Sequence, residues 1–185
     1  DGQIVMKINS LTDIDIIMKL QEASSAGVRV KLLIRGICCL LPGISGVTEN
    51  IMVISVVGRF LEHSRIYSFG KGEQQTLYIS SADMMTRNLQ RRVEVACPIY
   101  SQEIRDRLNH ILEIMFADNV KARELTDKGG YRKRKNSNNR IDAQEVLMKE
   151  AVEMPDSLSE RNEGAVKRIY RGIITNLYRK LNEYK

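Results

Sequence analysis

Residues 3–34 constrain the fold of this chain more than any other stretch. Residues 4–8 (Ile-Val-Met-Lys-Ile) alternate apolar and polar side chains and read as a first strand. Asp13 is placed to cap a helix whose apolar positions Ile14, Ile17, Leu20 and Ala23 share a face, and Gly27 closes it. Residues 28–34 are β-branched and apolar, the profile of a strand covered on both faces. Strand, helix and strand in this order point to an α/β architecture.

The rest of the chain extends that pattern. Residues 40–50 hold Pro42, Gly43 and Gly46 and read as a loop. Residues 51–57 form another buried strand, and residues 66–69 a further one. Gly70-Lys71-Gly72 turns the chain into residues 76–80, predicting a hairpin. Residues 93–97 read as a last strand, closed by Pro98. Ser101 then caps a helix with Ile104, Leu108, Ile111, Leu112 and Met115 on one face. These elements predict one α/β domain, a mixed β-sheet flanked by helices, over residues 1–127. Residues 128–140, with Tyr131-Arg132-Lys133-Arg134-Lys135, lack periodicity and read as an exposed basic linker. Residues 141–185 read as a C-terminal helical extension. In it Val166, Ile169, Tyr170, Ile173, Ile174, Leu177, Tyr178 and Leu181 keep a seven-residue pattern that must pack on something: its own domain first, a partner chain or further domains second.

Composition bounds the setting. With 185 residues and 43% hydrophobic content the chain can bury a core, and its formal charge of +6 favours an anionic partner. Cys38 and Cys39 are adjacent in an apolar run and read as small buried hydrophobes; Cys97 is distant and no Cys-x-x-Cys pair exists, which implies a reducing, cytoplasmic compartment. No apolar run approaches the ~20 residues of a membrane span, and no signal peptide is visible. The start at Asp1, without methionine, fits an excised domain.

The chemistry gathers around Val57-Gly58-Arg59-Phe60-Leu61-Glu62-His63-Ser64-Arg65. Here one of two histidines stands among ionised side chains directly before a strand. Ser80-Ser81-Ala82-Asp83 and Arg87-Asn88-Leu89-Gln90-Arg91-Arg92 follow. Imidazole serves as nucleophile, acid or base near neutral pH, and arginine forks match phosphate oxygens. Open α/β sheets place their sites at strand ends. If residues 28–34 and 51–57 run parallel, Arg35 and His63 emerge at one edge. A lone histidine is ordinarily a surface or core residue; Arg59, Glu62 and Arg65 shift that balance for His63. His110 projects opposite the apolar stripe of its helix and reads as solvated. Asp83 either orients an arginine or ends a strand, and any single arginine could be a surface ion pair, such as Arg92 with Glu94. No carboxylate cluster suggests an all-protein metal site.

Arg35-Gly36-Ile37-Cys38-Cys39-Leu40, Gly58 through Ile66, Ser81-Ala82-Asp83, Arg87-Asn88-Leu89 and Arg91-Arg92-Val93-Glu94-Val95 resemble, in order, the bacterial polyphosphate kinase family of the phosphohistidine type. The resemblance runs from about residue 9 to about residue 125, roughly two thirds of the chain. It implies the last domain of a longer enzyme that moves the terminal phosphate of ATP reversibly to inorganic polyphosphate, the phosphohistidine lying in a preceding domain. Arg35, His63 and Arg65 would then bind ATP and its phosphates, with His63 protonating or stabilising the departing ADP oxygen. Arg59, Arg87, Arg91 and Arg92 would line a polyphosphate channel. Mg²⁺ would come with ATP. The implied partners are ATP/ADP, polyphosphate, the remaining domains and a second copy in a homo-oligomer, with no specific nucleic acid and at most peripheral membrane association.

His63-Ser64-Arg65 with Ser80-Ser81-Ala82-Asp83 also resembles a drifted phospholipase D signature, with arginine in place of lysine. This implies a phospholipase-D-like fold holding one half-site, to be completed by another domain or subunit. Leu41, Met52, Ser80, Met84 and Thr86 depart from the polyphosphate kinase pattern, and none touches Arg35 or His63. Two alternatives stay open: a phospholipase-D-like nuclease built by dimerisation, and a non-catalytic anion-binding module using residues 128–140.

Overall fold

In a computed structural model, the structure describes residues 2–134 and 139–153 of the chain. The strands are β1 (Gln3–Ile8), β2 (Arg29–Ile34), β3 (Ile51–Ser55), β4 (Ile66–Phe69), β5 (Thr76–Ser80), β6 (Ala96–Pro98), β7 (Arg123–Leu125) and β8 (Tyr131–Lys133). The helices are α1 (Ile14–Ser25), α2 (Thr86–Arg91), α3 (Gln102–Ala117) and α4 (Ala143–Glu153). All eight strands form one mixed sheet in the order β6-β5-β4-β1-β2-β3-β7-β8. β1, β2 and β3 are parallel, and every other pairing is antiparallel.

Local chemistry starts the helices where the sequence places them. The Asp13 carboxylate accepts from Ile16 N at 3.2 Å, and Ser101 Oγ from Ile104 N at 3.5 Å. The central strands bury both faces. Leu32 and Ile34 join α1 residues Ile17 and Leu20 in one core, whereas Leu33 joins Ile54, Met115 and Ala143 in another. Each fully buried Leu or Ile contributes about 1.5–3 kcal/mol. A third core, Val5, Ile66, Leu77 and Leu112, seats α3 on the other half of the sheet.

Four readings are corrected. β1 does not alternate: its last four residues, Val5 to Ile8, are all buried, Lys7 included. β3 ends at Ser55, two residues early. The strand expected at 93–97 is instead Ala96–Pro98, while Val93 and Val95 are exposed because Glu94 is drawn aside to Ser81 and Asn88. Pro98 is tolerated inside β6 because that strand is the sheet edge. Nor is it the last strand. β7 and β8 form a hairpin turning at Gly129 (φ +78°), so part of the 128–140 tract is sheet, although exposed. Three-residue strands are too short to display a period.

The chain divides into two compact units, residues 1–147 and 148–185. The first thus takes in the start of the expected extension, and Ala143 is fully buried in its core. The apolar stripe of Val166 to Leu181 lies outside the described residues.

Candidate functional site at the sheet edge

The parallel strands fix where the chemistry gathers. β1, β2 and β3 end together, and antiparallel β4 and β5 bring the start of one and the end of the other to the same edge. Residues 9–13, 35–41 and 81–85 leave that edge and bond one another: Leu11 N to Ile37 O at 2.8 Å, Cys39 N to Leu11 O at 2.9 Å, Thr12 N to Met84 O at 2.9 Å. Because β3 is followed in the chain by β4, two strands away across β2 and β1, residues 56–65 must cross the edge. That crossing segment carries Arg59, Glu62 and His63.

His63 is exposed and lies in the fork of Arg65, with Nη1 3.2 Å from Nδ1 and Nη2 3.3 Å from Nε2. Arg65 Nη1 also donates to the His63 carbonyl at 3.0 Å, and its Nη2 bonds Asp83 Oδ2 at 2.7 Å. Asp83 accepts further from Asn9 N at 2.6 Å and from Asn9 Nδ2 at 3.2 Å. Burial pushes the Asp83 carboxyl up, but Arg65 and the Asn9 donors outweigh it and hold it below the usual carboxylate range. Of the two readings of Asp83, orienting an arginine is the one found.

Arg35 follows β2 and is half-buried. Its carbonyl accepts from Ser55 Oγ at 3.4 Å, and its Nη1 is buried without a hydrogen-bond partner among the described residues. Buried guanidinium donors are ordinarily satisfied, so this one is poised for an acceptor. The expected convergence therefore holds: β2 and β3 are parallel, and Arg35 and His63 share one edge.

The other arginines are more dispersed. Arg87 and Arg91 sit exposed on α2, and Arg92 directly after it. The Arg59 guanidinium lies over its neighbour Phe60, 5.3 Å from the ring centroid. Glu94 is held below its ordinary range by Ser81 and Asn88 first, with Arg92 a smaller contributor. His110 is exposed.

Three supporting residues were not foreseen. Lys7, 1% exposed, donates to Ser64 O at 3.1 Å and lies 3.6 Å from Glu62 Oε2. Desolvation lowers its pKa first and foremost, Glu62 opposes the shift, and the charges of Arg35 and Arg65 add to it. Asn9 holds Asp83. Gln144, at the start of α4, brackets Phe60 by accepting from its N and donating to its O, both at 2.9 Å, and reaches Glu62 Oε1 at 3.1 Å. A lysine inside an otherwise apolar buried strand was the only available signal for the first.

Residues 1–144 match the model of a family described as polyphosphate kinase C-terminal domain 2. The chain belongs to that family. It is 50% identical over 162 residues to a polyphosphate kinase of Staphylococcus saprophyticus, covering 88% of this chain and 22% of that protein. It is 51% identical over 158 residues to one of Bacillus cereus, again 22% of that protein. Among solved structures it is similar to the polyphosphate kinase of Porphyromonas gingivalis, with TM-score 0.78, 39% identity, 81% of this chain and 23% of that one. A phospholipase D family member, Nuc of Salmonella typhimurium, aligns at 17% identity with TM-score 0.51 over 67% of this chain and 82% of that one. That likeness shows the fold, phospholipase-D-like α/β. The chain spans less than a quarter of the polyphosphate kinases it matches. Among the described residues no helix is long and apolar enough to cross a membrane.

Proposed function

We propose that this domain supplies one half of a phosphoryl-transfer site that moves the terminal phosphate of ATP reversibly to inorganic polyphosphate, through a phosphohistidine carried by another domain. The observation that carries the reading is the unpaired, buried Arg35 Nη1 at the same sheet edge as the His63–Arg65–Asp83 relay. Phosphoryl transfer depends mostly on positioning and charge stabilisation, so fixed cationic donors are its main equipment. Arg35 binds nucleotide phosphates, and Arg65, oriented by Asp83, adds a second guanidinium beside His63. His63 contacts the phosphates and protonates or stabilises the departing ADP oxygen. One such histidine cannot be both nucleophile and acid, so the second comes from elsewhere in the enzyme.

Among the described residues no three His, Cys, Asp or Glu side chains converge as metal ligands. On this reading Mg²⁺ would come with ATP and neutralise charge on its phosphates. Arg59, Arg87, Arg91 and Arg92 line the approach of the polyphosphate chain. Membership of the family supports this reading over a dimeric nuclease and over a purely electrostatic module.

Calorimetric titration with Mg-ATP tests it, comparing wild type, Arg35→Ala and His63→Ala. Binding weakened at least ten-fold in both variants, with thermal stability kept, is the expected result. Binding indifferent to both substitutions would overturn the assignment of the site.

A further inference from the structure

The site edge does not stop at β3. Ser55, the last residue of β3, lies opposite Arg123 of β7, which in turn lies opposite Lys133 of β8. Residues directly opposite in antiparallel strands project on the same face, so Ser55, Arg123 and Lys133 form a row across three strands. With Val57, Val120 and Lys121 they line a cavity of about 450 Å³.

This row is electrostatically odd. Like charges directly opposite on paired strands repel, yet no side chain of Lys121, Arg123 or Lys133 has a hydrogen bond or ion pair to another described residue. The next pair of the same hairpin is arranged conventionally, with Arg132 Nη2 3.3 Å from Glu124 Oε2 on the opposite face. The hairpin therefore neutralises one face and leaves Arg123 and Lys133 on the other, where Lys121 joins them around the cavity. The row joins the site at Ser55, whose hydroxyl bonds the Arg35 carbonyl. Among the described residues no aromatic ring lines the cavity, so the stacking platform that single-stranded nucleic acid ordinarily uses is not found there.

We propose that Lys121, Arg123 and Lys133 form a subsite for inorganic polyphosphate, extending the phosphate-binding edge beyond Arg35 onto the β7–β8 hairpin. The inference rests on the phosphoryl-transfer reading for its ligand but on separate residues for its site. Repulsion between Arg123 and Lys133 is relieved when a chain of phosphates lies across them.

The test is calorimetric titration of this chain with long-chain polyphosphate and, separately, with Mg-ATP. Three proteins are compared: wild type, Arg123→Gln/Lys133→Gln, and the charge-matched control Lys128→Gln/Arg132→Gln. The first double variant is expected to bind polyphosphate at least ten-fold more weakly, with a shallower salt dependence because fewer counterions are released. It keeps its Mg-ATP affinity, and its melting temperature does not fall, since a repulsion has been removed. The control keeps both affinities. Equal losses in the two double variants would reduce the effect to net charge and overturn the subsite. So would an unchanged polyphosphate affinity, a wild type that does not bind polyphosphate, or single-stranded DNA competing on equal terms. Failure of the functional reading shows separately, as Mg-ATP binding indifferent to Arg35→Ala.

Discussion

Lys7 Nζ, buried at the end of β1, donates to the carbonyl oxygen of Ser64 at 3.1 Å. It thereby ties the segment that carries His63 to the sheet beneath it, with Glu62 as counter-charge. Lys7→Met keeps the volume and removes the tether. Replacing a buried ion by a similar apolar side chain leaves stability near wild type, so the variant is expected to fold, with Mg-ATP affinity lowered several-fold. The pH dependence has a defined sign. The folded-state pKa of Lys7 is depressed below the ordinary 10.5, so the unfolded chain holds the proton to higher pH. Wild-type stability therefore gains from this group as pH climbs from the folded pKa to the unfolded one. The difference between wild type and Lys7→Met, measured by urea unfolding at rising pH, should shift in favour of wild type; no shift would show that Lys7 is not buried as a cation.

Asp83 gives the opposite pH signature. Its carboxyl stays ionised below the usual range because Arg65 and Asn9 hold it. The stability it contributes is present above the unfolded pKa of ~3.9 and lost as pH falls through the lower folded value. Asp83→Ala leaves a largely buried guanidinium without its partner, at a cost of about 3–5 kcal/mol near neutral pH. Urea unfolding at pH 7 and at successively lower pH should show the wild-type advantage shrinking. An advantage independent of pH would mean that the pair contributes through packing alone.

What the sequence discloses of this fold is what local chemistry encodes. Asp13 and Ser101 announce their helices because a cap bonds within three residues of itself. Gly70 announces the β4–β5 turn because its φ of +81° suits glycine. Arg35 and His63 were legible as a pair because parallel strands bring their ends to one edge. Lys7 was not, since a lysine between apolar residues in a strand reads equally well as the solvent face. Gln144 bonds Phe60 across 84 residues of chain, a relation no local pattern holds. The β7–β8 hairpin was hidden because its turn, Thr126-Asp127-Lys128-Gly129-Gly130, runs into a basic tract that reads as linker.

Gly36 provides a steric test of the site. A Cβ there would sit 2.9 Å from the Asn9 carbonyl oxygen and 3.2 Å from Ser10 Oγ. Its own N donates to that same carbonyl at 2.7 Å, so this backbone contact couples Arg35 to the residue that holds Asp83. Gly36→Ala must push the two loops apart by a few tenths of an ångström. It is expected to destabilise the fold by about 1–2 kcal/mol and to weaken Mg-ATP binding as Arg35→Ala does. Affinity equal to wild type would show that Arg35 reaches its ligand without help from this contact.

Asp118 plays a structural part: it holds the backbone of Val120 and Lys121, which line the proposed polyphosphate cavity. Its side chain is fully buried, and its Oδ1 accepts from Val120 N, Lys121 N and Ala122 N at 2.8–3.0 Å while Oδ2 accepts from Ala143 N at 2.8 Å. One carboxylate thus closes the end of α3, shapes the entry to β7 and anchors the start of α4. Each buried N–H left without an acceptor costs about 1–3 kcal/mol, so Asp118→Ala is expected to cost at least about 3 kcal/mol in urea unfolding at pH 7. Asp118→Asn, which keeps one acceptor oxygen, should recover part of that loss. Because Gln144 rides on the same α4 start and brackets Phe60, the alanine variant should also weaken Mg-ATP binding at temperatures where it remains folded. A stable Asp118→Ala with unchanged affinity would separate the α4 anchor from the site.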